Sequence, residues 1–192
     1  MLAKAEQKKE RIIVAAVDIL AEHGDSGLTM RQVAKETQMA LSNVQYYYRN
    51  KDALLAGLID FYLNVCYEAY QRFVEKIPEG ERLEASIRFL LVNPEMETVC
   101  QVFKELWAIS ERNEAIKTHL NDHYRFYAEQ LANELKAMAP PDCTQQQIDR
   151  AVSLILPLVE GYNITSDALP LNETELVKFL TAQVLSIIGS PL

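Results

Sequence analysis

A run of polar side chains between residues 41 and 47 is the part of this sequence best suited to recognising another molecule. On a helix, Val44 and Tyr48 are four residues apart and face inward together, which turns the rest of the run outward. Asn and Gln can pair bidentately with adenine, Ser donates or accepts, and Leu can touch a thymine methyl group. The outward side chains therefore suit base edges in a DNA major groove; they are Leu41, Ser42, Asn43, Gln45 and Tyr46.

Two short helices joined by a tight turn are predicted to position this run. Thr29 has an amide side chain three residues after it, the capping-box pattern, and starts a first short helix that ends near residue 37. The second covers residues 41–48. An amphipathic helix over 4–23, with a solvated face that includes Arg11, precedes the pair and should stop at a glycine. This layout is typical of a helix-turn-helix.

The rest of the chain also has apolar spacing near 3.6 residues, and no Asn-Gly or Asp-Gly turn separates alternating runs. Further helices are predicted over residues 51–76, 82–92, 96–110, 113–138, 145–168 and 173–188. Pro157 should kink or repack the helix that contains it. The sequence therefore predicts an all-α fold, with an N-terminal three-helix domain over residues 1–52 and a larger helical bundle over residues 53–192.

Charge is distributed unevenly along the 192 residues, whose net charge is −8. Residues 1–52 hold eight Lys or Arg against seven Asp or Glu, a net of +1, and residues 53–192 carry the remaining −9. An acidic body repels phosphate, whereas a near-neutral head with well-placed cations can approach it. The asymmetry permits nucleic-acid binding by the first segment and argues against it for the second.

The cysteines and the hydropathy of the sequence indicate the cellular compartment of the protein. The three cysteines, Cys66, Cys100 and Cys143, are odd in number, lack CxxC spacing and have no adjacent cationic cluster, so we expect inert thiols in a reducing compartment. The N-terminal residues lack the apolar core of a signal peptide, and no apolar run approaches the length of a bilayer span. These features predict a cytoplasmic protein without a membrane partner.

Other chemistries find little support in the sequence. His119 and His123 are four residues apart, which can place two imidazoles at zinc-ligand distance on one helix face, but no third ligand can be assigned. The sequence has no GxSxG elbow, Walker A loop or GxGxxG motif. We therefore expect no enzymatic activity, no catalytic residues, no metal and no cofactor.

Residues 28–62, LTMRQVAKETQMALSNVQYYYRNKDALLAGLIDFY, resemble the N-terminal domain of the tetracycline-repressor (TetR) family of transcriptional regulators. The resemblance lies in the first short helix, the aromatic pair that follows Val44, and the Asn-Lys-Asp-x-Leu-Leu start of the long helix. It implies that Tyr47 and Lys51 contact phosphates, the latter at a helix N-terminus where amides also favour an anion. With Thr29 and Arg31 from the first short helix, these residues complete the expected DNA-binding set.

The sequence departs from the family pattern around the turn. The family normally has Gly at the position of Gln38, a capping Ser at Ala40, Gly at Ser42 and Tyr at Gln45. Gln38 must therefore adopt left-handed geometry or the turn must shift, and Ser42 could cap a helix that starts later. An operator sequence inferred from relatives would not transfer to this chain.

The body matches the family's ligand-binding and dimerisation domain in helix number, and the segments 102–108 and 158–162 resemble the choline-response-repressor branch. The resemblance implies a repressor that binds a palindromic operator as a homodimer through its last two helices and is released by a small-molecule effector. A pocket that includes Phe103, Trp107 and Tyr127 is a candidate effector site, where aromatic rings with Glu105 or Glu160 could hold a cation.

A non-DNA-binding helical adaptor is the alternative function. It shares the all-α fold and the apolar helix faces, and it differs in one observable property, because an adaptor would select no duplex from a DNA pool.

Overall fold

Helices account for most of the backbone that the structure describes. The computed structural model describes residues 2–92 and 97–189, and within these ranges it contains nine α-helices and no β-strand, which confirms the all-α prediction. In the same ranges, no helix combines the length and the apolarity that a bilayer crossing needs.

Helix boundaries follow the sequence signals closely. The helices are α1 (Leu2–Gly27), α2 (Met30–Glu36), α3 (Leu41–Tyr47), α4 (Lys51–Val74), α5 (Arg82–Val92), α6 (Glu97–Ser110), α7 (Glu114–Met138), α8 (Gln145–Thr165) and α9 (Glu173–Ile188). Gly24 has φ 63° and breaks the regular helical path of α1 at the predicted stop. The predicted long eighth helix instead ends at Thr165 and continues as a short 3₁₀ turn over Ser166–Ala168.

Capping side chains define where the last two helices begin. Thr144 and Asn172 each accept a backbone N–H three residues on, and Gln147 and Glu175 return a hydrogen bond to the cap backbone. These reciprocal pairs satisfy donors that the first helical turn leaves open. α8 also contains Pro157 and continues through it.

Packing divides the chain into two compact units. The first comprises Met1–Cys66 with Glu97–His123, and the second comprises Tyr67–Met96 with Tyr124–Leu192. α4 and α7 contribute residues to both. The boundary predicted after residue 52 divides the chain by function, into a DNA-binding segment and an effector-binding segment, and not by packing. It therefore stays a prediction.

The second unit has a core built from α5, α7, α8 and α9. Its fully buried members include Ile87, Leu135, Ile155 and Leu180. The sequence pattern predicts an apolar stripe at a dimer interface, formed by Val152, Ile155, Leu156, Val159, Leu176, Phe179, Leu180, Val184 and Ile187. Most of this stripe lies in the core instead, because Val152, Ile155, Val159, Leu176, Leu180 and Val184 are all buried within the chain itself. The expectation that those side chains face a second copy is therefore wrong, whereas Phe179 of the same stripe is 52% exposed.

A polar cluster of Tyr70, Ser86 and Glu134 is embedded in the second unit. The Tyr70 hydroxyl donates to the Glu134 carboxylate, and Ser86 Oγ lies 2.8 Å from the same hydroxyl oxygen. Burial raises the pKa of Glu134 above its ordinary value of 4.5, and the hydrogen bond from Tyr70 opposes that rise. Burial and the bond to Glu134 likewise raise the pKa of Tyr70. Desolvation therefore outweighs hydrogen bonding at this carboxylate.

Glu134→Gln is expected to make stability less dependent on pH. When the pKa of a carboxyl is higher in the folded chain than in the unfolded chain, the protonated carboxyl stabilises the fold at a pH below the unfolded-state pKa. This stabilisation is lost as the pH rises through the folded-state pKa. Gln stays neutral, so the variant should lose less thermal stability than the wild type as the pH rises above the ordinary Glu pKa of 4.5. Glu129→Gln, at an exposed position of the same helix, is the control. Parallel pH profiles for wild type and Glu134→Gln would contradict this expectation.

Candidate nucleic-acid interface

The turn between α2 and α3 is closed by a left-handed residue. Gln38 has φ 53°, as the family departure at this position requires. The Gln38 N–H donates to the Lys35 carbonyl at 3.1 Å, and the Met39 N–H donates to the Ala34 carbonyl at 2.9 Å. This pair of bonds is a Schellman motif, in which glycine usually holds the left-handed position. The turn therefore forms without a glycine, at the conformational cost of one left-handed Gln.

A cation from α1 also binds this turn. Arg11 Nη2 donates to the Thr37 carbonyl oxygen at 2.8 Å, and the buried Thr37 hydroxyl donates to the Val33 carbonyl at 2.7 Å. Arg11 thus satisfies a carbonyl at the C-terminus of α2, where the helix dipole favours positive charge. Sequence reasoning placed Arg11 on a solvated face and missed this contact, since the two residues are 26 positions apart.

α2 and α3 differ in how their N-termini are capped. The Thr29 hydroxyl accepts the Gln32 N–H at 3.1 Å, as predicted. α3 begins at Leu41 with Ala40 at the N-cap, without a side-chain cap, so the idea that Ser42 caps a later-starting helix is wrong. Ser42 instead lies in the first turn of α3 with its side chain exposed. Its hydroxyl is therefore on the surface that the sequence assigns to DNA.

One face of α3 is buried and the other is open to solvent. Val44 is fully buried, while Leu41 is half-buried. The predicted base-reading side chains on the open face, all of them exposed, are Ser42, Asn43, Gln45 and Tyr46. Tyr46 is 83% exposed, a large value for an aromatic side chain. Thr29 and Arg31 of the preceding segment are exposed as well.

Three consecutive tyrosines end α3 in different environments. Tyr46 and Tyr47 meet edge to face, with ring centroids 5.2 Å apart. Tyr48 turns inward over α4, where a Cβ atom on Gly57 would lie 2.4 Å from its ring. Burial raises the pKa of the Tyr48 hydroxyl, with smaller contributions from Glu6 and Asp60. Gly57 therefore leaves the space in which Tyr48 anchors the end of α3.

Lys51 begins α4 and is paired within the chain. Its Nζ lies 2.7 Å from Asp25 Oδ1 and also donates to the Asp25 carbonyl oxygen. The Asn50 side chain caps the same helix by accepting the Ala53 N–H at 2.9 Å. Lys51 is about one-third exposed, so its ammonium group is accessible from solvent while it is bound to Asp25.

The predicted effector-binding residues are distributed over both units. Phe103, which is buried, and Trp107, which is half-buried, lie on α6 in the first unit. Tyr127 lies on α7 in the second unit. Glu160, also in the second unit, has a pKa raised by burial and opposed by a hydrogen bond with Tyr124. A shared role for the three aromatic residues stays a prediction.

The cysteine and histidine side chains singled out in the sequence differ in their surroundings. Cys66 is buried, and that burial raises the pKa of its thiol to about 12, so little thiolate forms near neutral pH. His119 and His123, in contrast, both contact Asp60 on α4. No local sequence pattern indicates this third residue, because it lies about 60 positions earlier in the chain.

Comparison with known proteins identifies relatives along nearly the whole chain. Residues 12–58 match the family model for bacterial regulatory proteins of the tetR family. A protein of Xanthobacter autotrophicus described as an uncharacterized HTH-type transcriptional regulator in the dhlA 5′ region is 37% identical over 187 residues, covering 95% of this chain and 91% of the relative.

Solved structures of regulators share the fold. A transcriptional regulator from Pseudomonas aeruginosa PAO1 superposes with a TM-score of 0.78 at 19% identity, covering 96% of this chain and 92% of that one. A regulator from Saccharomonospora viridis in complex with choline gives a TM-score of 0.72 at 17% identity, covering 96% of each chain. At these identities the likeness concerns the arrangement of helices.

Gln38→Gly is expected to stabilise the chain. Removing the side chain from a left-handed residue relieves steric strain and is partly offset by the greater entropy of glycine in the unfolded state, for a net gain of up to about 1 kcal/mol. Glu36→Gly, at the exposed last residue of α2, is the matched control and should destabilise by up to about 1 kcal/mol. Thermal or urea unfolding distinguishes the two variants, and losses of similar size in both would show that the turn gains nothing from glycine.

Proposed function

The chain belongs to the TetR family of bacterial transcriptional regulators, and from this premise we propose that it is a repressor that binds a palindromic operator as a homodimer and dissociates when a small molecule binds its body. The exposed polar face of α3, held by the buried Val44, is the observation that carries the proposal. Family membership also confirms that the chain is a DNA-binding regulator rather than an enzyme.

Base reading is assigned to the open face of α3. Gln45 and Asn43 offer bidentate hydrogen bonds to adenine, Ser42 donates or accepts, and Leu41 and Tyr46 provide apolar contact with base edges. The exposure of Ser42, Asn43, Gln45 and Tyr46 supports this role, because these four are accessible without rearrangement of the helix. Thr29 and Arg31 flank this surface from α2 and are suited to the backbone of the same half-site.

Phosphate binding is assigned to Tyr47 and Lys51. Lys51 lies at the N-terminus of α4, where helix amides and the ammonium charge attract the same anion. Its ion pair with Asp25 is partly exposed, so a DNA phosphate can exchange with the Asp25 carboxylate at modest cost. By pairing with Lys51, Asp25 lowers the affinity of the N-terminal DNA-binding segment for any polyanion.

The second copy is assigned to the outer faces of α8 and α9. Phe179 is half exposed, and a Cβ atom added to Gly161 would meet no other atom within 4 Å, so both offer surface for close helix packing. A symmetric dimer requires a palindromic operator, and we expect its half-sites to lie about 34–36 Å apart or a multiple of that spacing. We assign the protein to the cytoplasm, where operator DNA is accessible.

We assign the effector to the body, for which the sequence predicts contacts from Phe103, Trp107 and Tyr127, with Glu105 or Glu160 as the source of negative charge. An organic cation suits aromatic rings with a nearby carboxylate. Choline, the ligand of the Saccharomonospora viridis regulator, is therefore the first compound to test. Binding of effector and operator must be reciprocal, so an effector that weakens DNA binding tenfold is itself weakened tenfold by DNA, a coupling of about 1.4 kcal/mol.

Selection of duplexes from a randomised pool should enrich a palindrome. Lys51→Ala should weaken binding to all sequences and lower the salt slope by about one, and Gln45→Ala should relax preference at one position per half-site at a cost of about 1–3 kcal/mol. Asp25→Asn should tighten binding by freeing the ammonium group. Lys136→Ala, at an exposed site on α7, is the control. If the wild type enriches no duplex, the adaptor function replaces repression.

Phe179→Glu is expected to convert the proposed dimer to monomers, because each copy would place a charge in an apolar interface. Size-exclusion chromatography with light scattering measures the mass directly. Phe126→Glu, at another exposed aromatic of the second unit, should leave the mass unchanged. A monomeric wild type would exclude this interface.

A further inference from the structure

Three potential metal ligands converge on one point of the first unit. Asp60 lies on α4, and His119 and His123 lie one turn apart on α7. The Nε2 atoms of both imidazoles are 2.9 Å from the same oxygen, Asp60 Oδ1. All three ligand atoms lie within 4.8 Å of one another, and the two rings are 4.9 Å apart between centroids.

We propose that Asp60, His119 and His123 form a binding site for a divalent transition metal of the zinc class. Two imidazole nitrogens and one carboxylate oxygen are a donor set that such metals prefer over Mg²⁺ or Ca²⁺, which favour oxygen. The proposal of a metal site rests on the close approach of these three side chains. The helical spacing of the two histidines fixes both nitrogens on one side of α7, and α4 supplies the oxygen opposite them.

The distances fit a metal after a small outward movement. Zinc binds His nitrogen at about 2.0–2.1 Å and carboxylate oxygen at about 2.0–2.2 Å, so tetrahedral ligands lie about 3.3 Å apart. The nitrogen–oxygen separations of 2.9 Å need to open by a few tenths of an ångström. Rotation of the side chains suffices, because all three are partly exposed, at 32% for His119, 23% for His123 and 52% for Asp60. That exposure also leaves a fourth position for water.

A purely structural role makes a different prediction. Without metal, Asp60 Oδ1 accepts hydrogen bonds from two imidazoles and ties α4 to α7 within the first unit. Asn at position 60 retains an amide oxygen that can accept both bonds but is a poor metal ligand. Asp60→Asn therefore preserves the tie and removes the metal, which separates the two roles.

The experiment titrates Co²⁺ and then Zn²⁺ into untagged protein in the absence of DNA. Co²⁺ should give visible absorption bands of four-coordinate geometry at one ion per chain, and Zn²⁺ should displace it. Asp60→Asn and His119→Gln should each weaken binding at least tenfold. His23→Gln, which removes the third histidine from a surface position on α1, should leave the affinity unchanged.

Thermal unfolding gives a second readout that does not depend on colour. At a Zn²⁺ concentration about 100 times the dissociation constant, the midpoint should rise by about 5–10 °C in the wild type and not in His119→Gln. Circular dichroism at 20 °C checks that each variant is folded, and His123→Gln replaces His119→Gln if the latter is not. Binding that is equally weakened by His23→Gln, or that survives Asp60→Asn unchanged, would overturn the proposal, as would a wild type that binds neither ion.

Discussion

The burial of Val44 determines which side of α3 meets solvent. α3 has seven residues, far below the roughly 12–15 at which an isolated helix becomes even marginally stable in water, so tertiary contacts must hold it. Full burial of a valine contributes about 1.5–3 kcal/mol, and Val44 is the fully buried side chain of this helix. The left-handed Gln38 sets the angle at which α3 leaves the turn, and Tyr48 over Gly57 fixes its end. The polar face is exposed because Val44 and Tyr48 are held inward.

Two cations of the first unit stabilise the reading head from within. Arg11 binds the carbonyl end of α2, and Lys51 binds Asp25 beside the break in α1. Both contacts join residues 26 positions apart, so Arg11 fixes α1 against the end of α2 and Lys51 fixes it against the start of α4. Lys51 is exposed enough to exchange partners, whereas Arg11 satisfies a backbone carbonyl that would otherwise lack a donor at the helix end. The two charges therefore differ in role: one is available to a phosphate and the other maintains the turn.

Local signals in the sequence predicted the helices well. Periodicity and caps placed α5 and α9 at their observed bounds, and Thr29 caps α2 as its spacing indicates. Contacts between distant residues were missed, because no local pattern encodes them; Arg11 with Thr37 and Asp60 with the two histidines are examples. The buried stripes of α8 and α9 show the same limit, since periodicity reveals an apolar face and not whether it packs in the same chain or in a second copy.

α4 connects these features mechanically. An α-helix rises 1.5 Å per residue, so Lys51 at its start lies about 13–14 Å along the axis from Asp60, with Gly57 between them. These residues contact Asp25, the α7 histidines and the Tyr48 ring respectively, all within the first unit. A regular helix transmits displacement along its length, because its backbone hydrogen bonds resist stretching and bending. Movement of α4 at Asp60 therefore moves the surface on which Tyr48 rests and the ammonium group beside Asp25, which gives α3 and the body of the unit a common support.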